Sequence, residues 1–335
     1  MFTRPSLRGS SGHTGLGESK ISAKRWTSSG LSRCALVVAL LLAFACVTGA
    51  ACRAADPNAF EDAPLNETVI RVPVAESPAV TLEVTILHPD GRGPFPLAIM
   101  NHGANNASTS NPGVRYRQTY VALYFLSRGY AVALPMMRGF AASGGQMHHF
   151  GCDLEATGIA NAKDIRTVIR FLGNDPRFDT RRVVVAGQSL GGWNTLALGA
   201  LSVANVAGLI DFNGGLRESD CAAGDRALEA GTAAFGARTR VPSIWFYGEN
   251  DPYFSVPVWR SMYAHYTRNG GRAELVDIGV FMNSSHNFLS YAEALPLWVP
   301  RVDAFLADIG MPSAVVDPWY LPPVASSPRS VAAVP

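Results

Sequence analysis

The residues around position 189 join a short apolar run to a serine flanked by glycines. The run Val183-Val184-Val185-Ala186 leads into Gly187-Gln188-Ser189-Leu190-Gly191, and the residues that follow have apolar positions at helical spacing. A serine on a tight turn between a buried strand and a helix exposes its hydroxyl, and small flanking residues let the two elements pass in close contact. The pattern predicts such a turn, although a glycine-rich turn with a capping serine would leave the same short motif.

Strand-like and helix-like segments alternate along most of the chain. This alternation implies right-handed crossovers and a mainly parallel central sheet with helices on both faces, an α/β fold. The segment 214–241, with a short predicted helix near 226–235, would form at most a small cap. Strands are predicted at 68–74, 80–87, 97–101, 130–134, 183–186, 206–212, 242–247 and 273–278, the first two as an antiparallel edge pair, and helices at 116–127, 159–172, 256–268 and 297–309.

The first 55 residues are typical of an export signal. They carry seven Lys or Arg residues and one acidic residue, and the apolar stretch Ala35 to Val47 precedes the small residues Thr48-Gly49-Ala50-Ala51. At about 13 residues the stretch is short for a membrane span, which needs about 20. We expect a leader over 1–55, a catalytic domain over 56–310 and a poorly ordered Pro- and Ser-rich tail over 311–335. A lipid anchor on Cys46 or Cys52 is the less favoured alternative to release into the periplasm or the medium.

The positive charge of the chain belongs to this leader. The whole sequence has 28 basic and 26 acidic residues, and residues 56–335 keep 21 basic and 25 acidic ones, a net charge of −4. A nucleic-acid partner is therefore not expected.

Cys152 and Cys221 are the two cysteines beyond the leader. An exported protein meets an oxidising compartment, which favours a disulfide between them. Two separate buried thiols are the alternative.

A carboxylate and an imidazole follow Ser189 at the ends of later strands. Asp251 lies in Gly248-Glu249-Asn250-Asp251-Pro252, and His286 follows the next predicted strand. A serine hydroxyl needs a base to accept its proton, and that base needs a third group to orient it. We predict Ser189 as nucleophile, His286 as general base and then acid, and Asp251 as the group that orients His286. Competing candidates are Glu249 for the carboxylate, and His265 and the pair His148-His149 for the imidazole; a metal site at that pair is not expected.

The pair His102-Gly103 ends the predicted strand at 97–101. Attack on a carbonyl leaves an oxyanion that needs two preorganised N–H donors. The backbone N–H of Leu190, directly after the nucleophile, and that of Ala104 are the predicted donors. His102 would then shape the loop rather than transfer protons.

Together, Ser189, Asp251, His286 and His102-Gly103 resemble the α/β-hydrolase superfamily over residues 68–309. The segments Arg138-Gly139 with Ser143-Gly144-Gly145, and residues 248–252, look most like its dienelactone-hydrolase-like branch. True dienelactone hydrolases use a cysteine where this chain has Ser189. The resemblance therefore implies an α/β-hydrolase fold with serine-esterase chemistry.

These residues predict an exported serine hydrolase that cleaves small or polymer-end carboxylic esters through an acyl-enzyme. The alternatives are a serine peptidase of the prolyl-oligopeptidase type, an acyltransferase, and a non-catalytic hydrolase-like binding module. No cofactor, metal or transmembrane span is expected, and the protein is expected to be a monomer. The predicted substrate contacts are His102, Gly103, Trp193 and Tyr253.

Overall fold

Eight strands form one central sheet in the computed structural model, which describes residues 65–74, 80–104 and 115–322. The strand order is β1-β2-β4-β3-β5-β6-β7-β8. Strand β2 pairs antiparallel with both β1 and β4, and all the other pairs are parallel. The strands are β1 (Thr68–Val74), β2 (Val80–Leu87), β3 (Phe95–Asn101), β4 (Ala131–Pro135), β5 (Phe178–Gln188), β6 (Val206–Phe212), β7 (Ser243–Tyr247) and β8 (Ala273–Asp277).

Six α-helices of the described residues cover the two faces of this sheet. Alternate residues of β5 show how the two faces are divided: Val183 and Val185 belong to one apolar cluster, and Val184 and Ala186 to the other. Strands buried on both faces read as continuous apolar runs, which is the pattern of this segment. The helices are α1 (Thr119–Ser127), α2 (Leu154–Leu172), α3 (Leu190–Ala200), α4 (Gly224–Arg238), α5 (Val256–Arg268) and α6 (Leu295–Asp308); α1 and α6 pack on one face, and α2 to α5 on the other.

The predicted fold class and the predicted antiparallel edge pair are confirmed, and the main differences are element bounds. Strand β5 begins at Phe178, because Phe178 and Asp179 pair with Phe95 and Pro96 of β3. The exposed Arg181 and Arg182 separate this pairing from the apolar run that marks the buried part of the strand. Helix α2 begins five residues before the predicted start. Its N-cap is Asp153, whose carboxylate accepts a hydrogen bond of 2.9 Å from the backbone N–H of Ala156.

The segment 214–241 forms part of the helical layer. Its helix α4 is longer than the predicted short helix and packs against α2, α3 and α5. The predicted disulfide is present: Cys152 and Cys221 have Cα atoms 4.9 Å apart and join the loop before α2 to the loop before α4.

The expectation of poor order beyond Gly310 is wrong for residues 311–322. The Val316 N–H donates to the Ser127 carbonyl at 2.9 Å, and the Tyr130 hydroxyl donates to the Pro312 carbonyl at 2.7 Å. Tyr320 is buried beside α1 and β4. Met311 and Tyr320 are buried in the apolar cluster that contains α1, so this segment is packed despite its proline content.

The predicted leader and the C-terminal residues from 323 lie outside the described residues. The described residues all belong to one compact unit, Ala55–Pro335. Within the described ranges, no helix has the length and apolar character that a membrane span requires.

Candidate active site

Ser189 lies at the turn between β5 and α3, in a backbone conformation that residues other than glycine rarely adopt. Its φ is 55° and its ψ is −122°. Such a conformation costs about 1–3 kcal/mol and persists only where the surroundings impose it. Here the Ser189 N–H donates to the Phe212 carbonyl at 2.9 Å, and the Ser189 carbonyl accepts from Gly215 and from Trp193. The turn therefore holds the Ser189 hydroxyl clear of the backbone, as the sequence predicts.

Two glycines around Ser189 lie where no side chain would fit. A Cβ atom at Gly187 would come within 2.1 Å of the Gly191 carbonyl oxygen, and one at Gly191 within 2.2 Å of the Asn101 carbonyl oxygen. Real Cβ atoms do not approach a backbone oxygen so closely. The glycine spacing of the motif is therefore a packing requirement of the strand, the turn and the helix.

The hydroxyl of Ser189, the ring of His286 and the carboxylate of Asp251 form one hydrogen-bonded line. His286 Nε2 is 3.0 Å from Ser189 Oγ, and His286 Nδ1 is 2.8 Å from Asp251 Oδ2. Asp251 follows β7, and His286 lies in the 3₁₀ segment Ser285–Ser290 after β8. Both side chains are buried, so the contacts are shielded from bulk water.

The Asp251 carboxylate is held by three further donors. Its Oδ1 accepts the backbone N–H groups of Tyr253 at 2.8 Å and Phe254 at 3.1 Å. Its Oδ2 also accepts the side-chain amide of Asn213 at 2.9 Å. Sequence reasoning missed Asn213, and its place directly after β6, before two glycines, is the signal that could have pointed to it. Glu249 does not take the position next to His286 that Asp251 occupies.

The residues of the two predicted N–H donors, Leu190 and Ala104, line the same cavity as Ser189. Leu190 is the first residue of α3, where a backbone N–H has no acceptor within the helix and the helix dipole is positive. Gly103 and Ala104 follow β3 and line the same cavity as Ser189 and Leu190. A Cβ at Gly103 would lie 3.1 Å from Ser189 Cβ and 2.5 Å from Gln188 Oε1, so the loop runs close against the serine turn.

His102 lies behind this loop and does not line the cavity. Its Nε2 accepts the Met137 N–H at 2.9 Å, and its Nδ1 is 2.8 Å from the Gly103 carbonyl. Burial lowers the pKa of His102 to about 4, against its hydrogen bond to Gly103, so the ring is neutral at pH 7. Its Nδ1–H then donates to Gly103, and a direct substrate contact by His102 is wrong.

A cavity of about 150 Å³ opens over Ser189 and His286. Its walls include the aromatic residues Tyr116, Tyr253 and Phe254, together with Arg217. The Tyr253 ring lies 4.5 Å from the His286 ring. Tyr253 was predicted from its position after Asp251, whereas Tyr116 reaches the cavity from the segment before α1 and was missed.

Arg217 supports one wall of the cavity. Its Nε and Nη2 donate to the Tyr253 carbonyl at 3.0 and 2.8 Å, and the guanidinium lies over the Phe254 ring. Its Nη1 also pairs with Asp225. The guanidinium therefore fixes the loop that carries Asp251.

Trp193 is a correction to the predicted substrate contacts. The side chain is fully buried among α2, α3 and α4, with its ring 4.9 Å from that of Phe235. Its Nε1 donates to the Leu154 carbonyl at 2.9 Å. The first turn of α3 directs this side chain into the helical layer, away from the cavity.

His149 lies between two carboxylates at the protein surface. Its Nδ1 is 3.1 Å from Glu218, and its Nε2 is 3.1 Å from Asp220. Hydrogen bonds to Glu218 and Asp220 raise the pKa of His149. In the described part of the chain, these three residues form the one group of histidine, cysteine or acidic side chains close enough together to hold a metal ion. Contacts to opposite nitrogens suit a protonated ring better than one metal ion, since an ion binds only one ring nitrogen.

Strand order, helices on both faces and the serine turn after β5 define an α/β-hydrolase fold. The chain has this fold, and that prediction is confirmed. The X-Pro dipeptidyl-peptidase (S15) family matches residues 79–221. No curated protein matches the chain.

Solved structures with the same fold include esterases and peptidases. An esterase of Pyrococcus furiosus is 16% identical with a TM-score of 0.51, covering 73% of this chain and 91% of its own. Est1E of Butyrivibrio proteoclasticus, solved with ferulic acid, is 17% identical with a TM-score of 0.50, covering 71% and 98%. An acylaminoacyl peptidase of Pyrococcus horikoshii is 15% identical with a TM-score of 0.52, covering 75% of this chain and 42% of its own.

Proposed function

We propose that the protein is a serine hydrolase that cleaves carboxylic esters through an acyl-enzyme. The observation that carries the proposal is the hydrogen-bonded line from Ser189 Oγ through His286 to Asp251. A hydroxyl next to an imidazole that a buried carboxylate orients is the arrangement that activates serine.

His286 moves the proton in both halves of the proposed reaction. It accepts the Ser189 proton at Nε2 as Oγ attacks the ester carbonyl, and it then donates that proton to the departing alkoxide. In the second half it takes a proton from water, whose oxygen attacks the acyl group, and returns the proton to Ser189. Asp251 keeps the Nδ1–H tautomer and stabilises the imidazolium that forms in each half.

The Leu190 and Ala104 N–H groups are the proposed oxyanion donors. Both residues line the cavity beside Ser189, and loss of such a donor costs about 3 kcal/mol of transition-state stabilisation. Gly103 gives this loop its close approach to the serine turn.

The aromatic walls of the cavity favour esters with a planar or apolar group of modest size. Tyr116, Tyr253 and Phe254 contribute aromatic rings to a lining that also includes Gln188 and Arg217, and the cavity volume suits a small or polymer-end ester. The likeness to Est1E, solved with ferulic acid, supports an aryl ester as the first compound to test. The assignment to a dienelactone-hydrolase-like branch stays a prediction, as does the monomeric state.

Export belongs to the same proposal. The basic and apolar pattern of residues 1–55 supports a removable leader, and the Cys152–Cys221 disulfide is compatible with an oxidising compartment. We propose a catalytic domain that begins near residue 56 and extends through the packed segment at 311–322. The N-terminal residue of the exported protein, determined by mass spectrometry, tests this boundary.

Peptide hydrolysis is the second candidate, because the S15 family matches residues 79–221 and acylaminoacyl peptidases share the fold. An amide needs the same nucleophile, base and oxyanion donors as an ester. The leaving amine must also receive a proton, and His286 would supply that proton.

One experiment separates these candidates. Purified protein is given p-nitrophenyl acetate, ethyl ferulate and X-Pro-p-nitroanilides, and a fluorophosphonate label is mapped by mass spectrometry. We expect hydrolysis of the esters, labelling of Ser189 and a loss of about 10⁶-fold in kcat for Ser189→Ala. The exposed Ser202, replaced by alanine, is the matched control. Full activity in Ser189→Ala would reject the assignment, and p-nitroanilide cleavage without ester cleavage would favour the peptidase.

A further inference from the structure

A buried carboxyl group that takes no part in the proposed chemistry lies beneath the serine turn. Asp211, near the end of β6, and Tyr247, at the end of β7, are both fully buried. A Cβ at Gly192 would come within 2.1 Å of Asp211 Oδ1, and one at Gly214 within 2.0 Å. The carboxyl group is therefore enclosed between the first turn of α3 and the turn after β6.

The hydrogen bonds around Tyr247 require a proton on Asp211. The Tyr247 hydroxyl oxygen lies 2.6 Å from the Gly214 carbonyl oxygen and 3.0 Å from Asp211 Oδ2. A carbonyl can only accept, so the single Tyr247 proton goes to Gly214. The contact between Tyr247 and Asp211 then needs a proton from the carboxyl group.

The electrostatic surroundings agree with a neutral acid. Burial raises the pKa of Asp211 from 3.8 to about 8. The titratable groups around the pair are Tyr266 on α5 and Asp251 after β7, and the negative charge of Asp251 disfavours ionisation of Tyr247. Burial raises the pKa of Tyr247 further still, so Tyr247 keeps its proton throughout the assay range.

The turn that Gly214 belongs to contacts both ends of the proposed triad. Phe212 accepts the Ser189 N–H at 2.9 Å, and Gly215 donates to the Ser189 carbonyl at 3.1 Å. Asn213, between them, donates its side-chain amide to Asp251. A displacement of this turn would therefore move the nucleophile and the carboxylate together.

We propose that Asp211 is a positioning residue that must be protonated, and that its proton, relayed through the Tyr247 hydroxyl to the Gly214 carbonyl, holds the turn 212–215 in place for Ser189 and Asp251. This inference rests on the proposed function, since it assigns Asp211 a part in the geometry of that same site. Ionisation of Asp211 removes the donor to Tyr247 and places a second negative charge near Asp251.

The proposal predicts an alkaline loss of activity that does not come from His286. The active form holds Asp211 neutral, so kcat falls as pH rises through about 8. Asp211→Asn keeps the size and an N–H donor toward Tyr247 but cannot ionise. We expect this variant to work at pH 7 within about threefold of the wild-type kcat and to keep that rate at pH 9.5.

Tyr247→Phe removes the hydroxyl that links Asp211 to Gly214, and it leaves the residues Asp211, Ser189 and His286 unchanged. We expect kcat to fall about tenfold while KM stays within about twofold, since the turn and not the cavity wall is disturbed. Tyr266→Phe is the matched control, because Tyr266 is a buried tyrosine with an electrostatic interaction with Asp211 and packs against Gly236, Gly271 and Trp245. It should keep the wild-type pH profile.

The experiment measures ester hydrolysis and the rate of fluorophosphonate labelling of Ser189 from pH 5 to 10, together with thermal unfolding over the same range. The folded state keeps the Asp211 proton up to about pH 8, whereas the unfolded chain releases it near 3.8. The stability due to the neutral acid is therefore complete below 3.8 and declines as pH rises to about 8. The Tm of the wild type should therefore fall relative to the Tm of Asp211→Asn as pH rises from 5 to about 8.

The outcomes separate the inference from the proposed function. A wild-type alkaline loss that persists unchanged in Asp211→Asn overturns the inference, and so does a Tm difference that is constant with pH. If Asp211→Asn does not fold, an unchanged kcat in Tyr247→Phe overturns it. Labelling without ester turnover would reject the ester assignment and leave the labelling profile as the test. A serine that reacts with neither probe overturns both.

Discussion

Asn213 holds the carboxylate beside His286 from a left-handed backbone conformation. Its φ is 50°, a region that asparagine tolerates better than most residues, and its amide donates to Asp251 Oδ2 at 2.9 Å. Asp251 receives this donor in addition to two backbone N–H groups. One side chain thus meets a backbone requirement and a hydrogen-bonding requirement together.

Asn213→Gly should lower kcat about tenfold, because Asp251 loses a donor while the backbone keeps its conformation. Asn213→Ala removes the same donor and adds backbone strain. It should therefore lower kcat by a similar factor and also lower the Tm. Ester kinetics and thermal unfolding of the two variants measure these effects. Equal kcat in Asn213→Gly and wild type would show that the amide does not support Asp251.

Gly191 is a position where even the smallest side chain has no room. A Cβ there would lie 2.2 Å from the Asn101 carbonyl oxygen, so Gly191→Ala should lower the free energy of unfolding by about 3 kcal/mol. Gly144→Ala is the control, because its Cβ would meet ordinary contacts of 3.6 Å or more. Urea denaturation measures both, and equal midpoints would contradict the packing argument.

The C-terminal segment 311–322 packs against helix α1. The backbone N–H groups of Val316 and Asp317 donate to the Ser127 carbonyl at the end of α1. Tyr320 is buried there, whereas the neighbouring Trp319 is 43% exposed. At the scale of elements, this segment completes the layer that α1 and α6 form.

Tyr320→Ala should lower the free energy of unfolding by about 3 kcal/mol, because it leaves a cavity in this layer. Trp319→Ala removes a larger but exposed ring and should cost less than about 0.5 kcal/mol. Chemical denaturation of the two variants provides the comparison. A greater loss in Trp319→Ala would contradict the packing that the structure describes.

The whole molecule brings loops from five different strands to one edge of the sheet. The residues that follow β3, β5, β6, β7 and β8 are Gly103, Ser189, Asn213, Asp251 and His286. In parallel sheets the carboxyl ends of the strands meet at one edge, so the fold itself collects these side chains. Strands β1 and β2 lie at one end of the strand order and contribute none of these five residues.

The disulfide ties two loops of this molecule that are 69 residues apart in sequence. Cys152→Ser with Cys221→Ser should lower the free energy of unfolding by about 4 kcal/mol, because the unfolded chain regains the freedom of a loop of that length. Unfolding of the wild type with and without reductant measures the same quantity. Two free thiols in the unreduced, denatured protein would contradict the bridge.

Apolar periodicity and turn residues were enough to predict the fold class and the strands around Ser189. They did not locate the ends of β5 and α2, because Arg181 and Asp153 follow local hydrogen bonding and strand pairing rather than the apolar pattern. The three residues of the proposed triad were identified by their order along the chain, since each loop follows a strand. Asn213 carried a weaker signal, because an asparagine before glycines fits any turn.

The sequence by itself determined which segments become strands and helices, because buried strands need continuous apolar runs and the serine turn needs glycines. Only the tertiary structure decided where individual side chains point. Trp193 packs into the helical layer although it lies four residues from Ser189, and Tyr116 reaches the cavity from a distant segment. The protonation of Asp211 is decided in the same way, because burial and hydrogen-bond partners come from β7 and the turn after β6, which are far apart in the chain.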